Sequence, residues 1–358
     1  MIERERLLKT FVDLAAIQSP SGSENEVARA IVTRLQGMGL NPMRDHLGNV
    51  LAQLDGEGEP FLLTAHMDTV GPCARVIPVV AHDVIYSDGS TILGADDKAG
   101  VAIILEVLAL LTDHGLPHRP LDVLFTVQEE TGLDGAKGCD RGRLRASMGI
   151  GLDAGGENGT IVASAPSHDE LSVQVHGHSA HAGVCPEEGI DAIRVAAEAI
   201  ASMPLGRIDE ETTANIGIIA GGSATNIVAE LVTLRGEARS RDEGKLQAQT
   251  QAMLGALERS AGAHGARVEV EVTRLYSAYK LTEADAIVRL VTRAMRSVGV
   301  VPVLAASGGG SDANVFNAQG MTIAQISAGM RAVHTCSEHV ALADMVKAAE
   351  VVLACVSP

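Results

Sequence analysis

Tryptophan is absent from this 358-residue sequence, which has only 4 phenylalanines and 3 tyrosines. Platforms for stacking bases or sugars are therefore scarce. Positive charge is also in short supply: 28 lysines and arginines face 45 acidic residues, a net charge of −17. Such a chain is poorly suited to neutralising a phosphate backbone, so no nucleic-acid partner is expected. No C-x-x-C pair occurs. The five cysteines (73, 139, 185, 336 and 355) are odd in number and widely spaced, which excludes a disulfide framework and a thiolate zinc site and fits a reducing compartment. Long apolar runs are missing too. The most apolar stretch, residues 101–111, is broken by Glu106 and is too short to span a bilayer. The start MIERERLLKTF is charged at once and lacks a signal-peptide core. A cytoplasmic protein without membrane association is expected. Internal repeats, low-complexity segments and the phosphate-binding G-x-x-x-x-G-K-[ST] loop are likewise absent.

What is present is apolar periodicity from end to end, over a length that suggests two domains at roughly 100–200 residues each. Residues 4–16 and 24–37 read as amphipathic helices, the second behind a Ser23–Glu26 pattern resembling a capping box. Strands are expected at 49–54, 60–65, 121–128 and 148–153, with a long apolar helix at 98–113 and a short helix near Gly135. This alternation indicates a mostly parallel sheet covered on both faces. After about Pro166 the style changes. Alternating strands at 170–176, 213–220, 227–239 and 266–272, with helices at 186–203 and 242–262, describe a small α+β layer. From Thr282 the first style resumes, with a helix to 298, strands at 301–305 and 321–327, and a last helix from Ala343. The reading is an α/β fold: a three-layer catalytic domain (1–166 and 275–358) interrupted by an inserted α+β domain (167–274).

Acidic residues and histidines gather at strand ends. His66 and Asp68 follow the strand 60–65, and their spacing of two puts them on one side of an extended segment. Asp96 and Asp97 open the long helix. Glu129 and Glu130 follow the next strand, and Asp153 ends the one after. In open α/β sheets these ends line the ligand crevice. Imidazole with several carboxylates and no thiolate describes a divalent-metal site, with zinc, manganese or cobalt as candidates. So many converging carboxylates would repel strongly without cations, which argues for more than one ion. Because Glu129 and Glu130 are adjacent and point differently, one can ligate metal while the other takes a proton from water. That describes a hydrolase.

The segments LLTAHMDTV, GADDKAG, QEETG and GLDAGG, followed by GHSAHAG, GGSATNIV, GEARS, SGGGSDANVF and VHTCSEHV, resemble in this order the two-metal exopeptidases and deacylases of the M20 peptidase family. SGGGSDANVFNAQG with VHTCSEH is most similar to its peptidase T (tripeptide aminopeptidase)-like branch. The resemblance covers essentially the whole chain. It implies two divalent ions per subunit, zinc being favoured. His66, Asp96 and Asp153 would hold one ion, and Asp96, Glu130 and His334 the other. Asp68 would orient His66, and Glu129 would be the general base. His334 directly precedes Thr335, as in the family's His-Thr pattern; His339 is the competing histidine. The resemblance further implies a cis peptide between Asp96 and Asp97, a lid histidine at His181 acting from the partner subunit of a homodimer joined through the inserted domain, and substrate contacts from Asn226, Arg239 and the 308–310 turn, with Gly309 at its centre. Arg239 would take a substrate carboxylate, and the amide groups ahead of the helix after Ser311 an anionic group. A short peptide is the implied substrate, with a carboxypeptidase or an N-acyl-amino-acid deacylase as alternatives. Gly177 to His181 half matches a serine-hydrolase elbow but has His where G-x-S-x-G needs Gly. A non-catalytic binding protein would be expected to have lost Glu129 or a ligand, and all are present.

Overall fold

The computed structural model describes residues 1–358. The chain divides into two compact units: Met1–Ala163 with Lys280–Ser307 and Ser311–Pro358, and Ser164–Tyr279 with the turn Gly308–Gly310.

The first unit is built on a nine-stranded sheet whose central order is Leu121–Thr126, Phe61–His66, Met148–Ala154, Thr322–Ser327. These neighbours pair in parallel, while Val50–Leu54 joins Leu121–Thr126 antiparallel toward one edge. The fold is mixed α/β with a mostly parallel central sheet. Every residue of Phe61–His66 and of Leu121–Thr126 is buried, so both faces of the sheet are covered, as continuous apolar strands require. Beneath it the helix Ala95–His114 is buried from Ala95 to Leu111 and shares one core with Phe11, Leu14, Ile287, Met345 and Val352.

Past its first turn, which buries Asp96, Asp97 and Lys98, one further buried charge interrupts that helix. Glu106 has a side chain with no solvent exposure. Its oxygens accept hydrogen bonds from Arg6 Nε (2.6 Å) and Nη2 (3.0 Å), and from the backbone N–H of Glu3 (2.9 Å). The N-terminal helix Arg4–Ala15 is thus joined to the central helix by both an apolar seam and an ion pair whose carboxylate is fully buried and whose guanidinium is partly exposed.

In the second unit, Gly206–Arg207, Thr212–Gly221, Leu231–Ser240, Ser167–His176 and Arg267–Tyr276 form an antiparallel sheet in that order. Alternate residues such as Leu171, Val173, Val175, Val232 and Leu234 form a core with Val195, Met253 and Leu257 from the helices Ala192–Ser202 and Glu243–His264.

Three local readings differ from the sequence-based expectation. The helix expected over 186–203 is a 3-10 turn, Pro186–Glu188, then a break at Gly189, and Asp191 starts Ala192–Ser202 by accepting the amide of Ile193 at 2.9 Å. An Asp N-cap one turn later outweighs continuity through a glycine. The capping box at Ser23 does not form: Glu24 is the N-cap of Asn25–Gly37, and no side chain caps that helix. A small sheet was not anticipated. Met330–Arg331, His339–Ala341, Val84–Ser87 and Pro78–Ala81 pair in that order. The pairing of Met330 with Val340 and of Arg331 with His339 makes a hairpin of the loop that carries His334.

Candidate metal centre

His66 is the last residue of its strand and is 1% exposed. Its Nδ1 lies 3.0 Å from the backbone carbonyl of Asp68 and 3.5 Å from Asp68 Oδ1. Its Nε2 lies 3.1 Å from Asp96 Oδ1 and 3.8 Å from Asp153 Oδ1. The second oxygen of Asp96 faces the other way, with Oδ2 3.3 Å from His334 Nε2, which is itself 3.0 Å from Glu130 Oε1. Asp96 thus stands between two histidines with one oxygen toward each. Asp96 (φ −81°, ψ 106°) and Asp97 are non-helical, and the peptide between them is cis.

Three overlapping groups result: His66, Asp96 and Asp153; Asp96, Glu130 and His334; and His66, Glu129 and Glu130. Within each, one ligand atom per residue lies within 4.8 Å of the others. Glu130 Oε1 is buried and makes no aligned hydrogen bond, although an imidazole nitrogen is 3.0 Å away. A buried carboxylate oxygen facing an imidazole nitrogen in poor hydrogen-bond alignment is a pair that a cation between them would satisfy. The donor set, imidazole and carboxylate without sulfur, suits zinc, manganese or cobalt. The residues present therefore fit two divalent ions with Asp96 common to both. His339 is not in this cluster; its Nδ1 lies 2.9 Å from the carbonyl of Ser337.

Most of the surrounding polar groups fix backbone. The Asp68 carboxylate accepts the amides of Glu129 (3.0 Å) and Glu130 (3.2 Å) and the hydroxyl of Ser21 (2.6 Å). Two buried carboxylates were not anticipated in these roles. Glu338 accepts the amide of Gly94 through Oε2 (2.7 Å) and that of Asp96 through Oε1 (2.9 Å), fixing the backbone that presents the shared carboxylate. Asp312 accepts the hydroxyl of Thr126 at 2.5 Å, and its other oxygen is buried without a partner. Lys98, also buried, donates to the carbonyl of Ile17 at 2.6 Å, and burial pushes its ammonium pKa down to about 8.

The electrostatics are those of a crowded anionic site. Burial, with Asp153 adding to it, holds the Glu129 carboxyl well above the usual carboxylate range. Burial likewise pushes Asp153 up to about 7 and Asp312 up to about 6. Asp96 and Glu130 push His334 up to about 10. Burial opposes the charged form of His66, yet Asp153, Asp68 and Asp96 together raise it well above the ordinary imidazole value. All these shifts have one sign. Between about pH 4 and pH 8 these groups make the metal-free folded chain bind more protons than the unfolded one, so its stability falls as pH rises; Lys98, lowered to about 8, has the opposite effect from there upward. Asp68 and Asp96, shifted downward, act only below that window. The chelated protein is expected to melt at a higher temperature at about pH 5.5 than at about pH 8. Thermal melts with and without EDTA check this, and the metal-loaded protein should show the smaller pH dependence.

The remaining site residues of the sequence analysis lie in the second unit. His181 is exposed; its Nδ1 accepts the amide of Gly183 (3.2 Å), and its backbone pairs with Ile227 through an isolated bridge. The carbonyl of Asn226 accepts the amide of Ala182 at 3.0 Å, so the loops carrying His181 and Asn226 adjoin. Arg239 donates from Nη2 to Glu237 at 2.9 Å, and its Nε is buried without a partner. The 308–310 turn closes on Tyr276, whose hydroxyl accepts the Gly310 amide at 3.1 Å; a Cβ on Gly310 would stand 2.3 Å from the Tyr276 ring. The helix after the turn, Asp312–Ala318, does not offer the open amides expected of it. Its capping box is complete, with Ser311 and Asn314 each bonding the other's backbone. The amide of Gly310 is taken as well, and Gly309 also has a partner.

The sequence of Peptidase family M20/M25/M40 matches this chain over residues 62–357, a span that contains all the proposed ligands. The chain belongs to that family. It is a metal-dependent peptidase of the peptidase T-like branch. It is 40% identical to the uncharacterized protein YqjE of Bacillus subtilis, over 99% of this chain and 98% of that one. Among solved structures it resembles a tripeptidase from Staphylococcus aureus (TM-score 0.94, 38% identity) and the aminopeptidase PepT from Bacillus cereus (TM-score 0.89, 39% identity). Each alignment covers 99% of this chain and 98% of the other. A Peptidase T of Geobacillus thermodenitrificans is 28% identical over 98% of this chain and 97% of its own.

Proposed function

We propose that the protein is an aminopeptidase that removes the N-terminal residue of tripeptides, using two divalent ions. The observation that carries the metal centre is the placement of Asp96, whose oxygens lie 3.1 and 3.3 Å from two different histidines. In this reading His66, Asp96 and Asp153 hold one ion, and Asp96, Glu130 and His334 the other. Zinc is favoured by the two imidazoles, with manganese and cobalt as the alternatives. When bound, the ions polarise the scissile carbonyl and acidify the attacking water. Glu129 takes the proton from the attacking water and returns it to the leaving amine. The backbone carbonyl of Asp68 accepts from His66 Nδ1–H, so that Nε2 is the nitrogen presented to an ion. Arg239 binds the free carboxylate of the peptide, Asn226 contacts the substrate through its side-chain amide, and His181 stabilises the oxyanion.

The names of the tripeptidase and of aminopeptidase PepT support the choice of end and of length. A carboxypeptidase or an N-acyl-amino-acid deacylase is the competing activity within the same chemistry. Ala-Ala-Ala and its N-acetylated form separate them. Free N-terminal Ala is expected from the unblocked peptide alone, identified by mass as the first product. Efficient cleavage of the blocked peptide, or release of the C-terminal Ala first, would assign the alternative.

In the same reading the segment 167–274 acts as lid and dimerisation domain of a cytoplasmic homodimer. Its strand Thr212–Gly221 supports this, being unpaired on one side beyond Ala214 and carrying Ile218 and Ile219, which are 59% and 53% exposed. Such an apolar strand edge is a template for pairing. Five unpaired cysteines support a reducing compartment. If His181 serves the neighbouring subunit, His181→Ala and Glu129→Gln proteins, each inactive alone, are expected to regain activity when mixed under subunit exchange. No recovery despite exchange seen by native mass spectrometry would place His181 elsewhere.

A further inference from the structure

Four consecutive backbone amides lead into and through the Glu129–Glu130 pair, and each is held by a side-chain oxygen from another part of the chain. Val127 N–H donates to Asn49 Oδ1 at 3.0 Å, Gln128 N–H to Glu24 Oε1 at 3.0 Å, Glu129 N–H to Asp68 Oδ1 at 3.0 Å, and Glu130 N–H to Asp68 Oδ2 at 3.2 Å. The sheet ladder cannot serve them, because the strand has ended at Thr126. Gln128 then takes a left-handed φ of +52°, which turns the chain out of the sheet. A buried amide at such a turn must find an acceptor or remain unsatisfied.

For Gln128 that acceptor is Glu24, 5% exposed and 104 residues distant in sequence. Glu24 is the N-cap of a helix, yet its side chain bonds none of that helix's amides; the same Oε1 also accepts Gly22 N–H at 2.8 Å. Nor does the segment around it stand alone. Ser19 accepts the Thr69 amide through its carbonyl (2.9 Å) and donates its hydroxyl to the carbonyl of Met67 (2.8 Å), and Ser21 donates to Asp68 Oδ2 at 2.6 Å. Residues 19–24 therefore lie along 67–69 and reach Gln128 from there.

We infer that Glu24 is a positioning residue for the general base: it fixes the Val127–Gln128 peptide at the turn just before Glu129, next to the Gln128–Glu129 peptide held by Asp68, so that the carboxylate is presented in one geometry. This rests on the reading of Glu129 as the base. A misplacement of about 1 Å in a reacting group costs on the order of 10²-fold in rate, and Glu24 touches neither ligand atoms nor substrate contacts. Its removal should therefore lower kcat without removing metal. Glu24→Gln keeps the acceptor oxygen and should restore function, whereas Glu24→Ala removes it and Glu24→Asp withdraws it by one methylene.

With Ala-Ala-Ala as substrate, Glu24→Ala is expected to lower kcat roughly 10- to 100-fold at unchanged KM and metal content, with Glu24→Gln within a few-fold of the parent. Hydrogen exchange of the peptide containing residues 128–130 should speed up in Glu24→Ala and not in Glu24→Gln, in both the metal-loaded and the chelated protein. If Glu24→Ala does not fold, Glu24→Asp replaces it, with the same loss of kcat expected. Parent-like kcat in the variant that lacks or withdraws the acceptor overturns the inference. So does an equal loss in the Gln variant, or a loss that follows metal content. Glu129→Gln measured alongside separates the two readings: if it is fully active, the base assignment fails, and if it is inactive while Glu24→Ala is parent-like, only the positioning role fails.

Discussion

Asp96→Ala is expected to abolish peptidase activity and to strip metal from both sites at once. One oxygen of Asp96 lies 3.1 Å from His66 Nε2 and the other 3.3 Å from His334 Nε2, so a single substitution removes a ligand from two ions. Losing a group that merely orients a ligand weakens metal affinity about 10–100-fold, and losing a shared ligand should exceed that for each ion. His66 and Glu130 would keep their places, since Asp68 and the strand ends hold them. Elemental analysis after gel filtration reads the outcome directly. A variant that retains two ions per chain would disprove the bridging role, and one that retains a single ion would confine Asp96 to one site. Chelation of the parent should have the same effect on activity, reversible on adding zinc, manganese or cobalt.

Glu129→Gln should behave in the opposite way, keeping its metal and losing its rate. The amide is nearly the same size, and the backbone there is fixed by Asp68, so the fold around it should persist. What disappears is a carboxylate whose proton affinity burial has raised. General-base catalysis contributes typically about 10²–10⁴-fold, and a fall in kcat of that size at nearly unchanged KM is expected, the mark of an interaction made in the transition state alone. Full activity in this variant would end the proposed mechanism, whatever the metal content.

The order of residues exposed some of this site and hid the rest, for reasons that can be located. His66, Asp96, Glu129, Glu130 and Asp153 each follow or open an element with a strong apolar pattern, and the ends of such elements can be read from periodicity. The three parallel strand pairings at the sheet centre are foreshadowed by the same runs. Glu338 and Asp312 escaped notice because they act on backbone amides and a hydroxyl: Glu338 meets Gly94 across 244 residues, a relation no spacing rule detects. From the sequence Glu24 reads as part of a helix start, since the local pattern of Ser, Glu and Asn is the same whether its carboxylate turns to its own helix or away. The hairpin that presents His334 consists of strands of two and three residues, too short to leave a period. The break at Gly189 turns on a local competition between two possible helix starts, and the Gly310 amide is taken by Tyr276, 34 residues away in sequence.

The ion pair of Glu106 bears on how the first unit comes apart. A terminal helix held only by an apolar seam can fray and re-dock as a minor excursion, with little consequence for the rest. Here the departure of Arg4–Ala15 would take Arg6 with it and leave the Glu106 carboxylate unpaired in the middle of a helix that is buried from Ala95 to Leu111, a cost on top of the lost packing. Detachment of the N-terminal segment is thereby coupled to loosening of the central helix whose first turn carries Asp96. The beginning of the chain and the shared metal ligand belong to one cooperative unit, so a protease that trims past Arg6 would be cutting into the stability of the metal centre rather than shaving a tail.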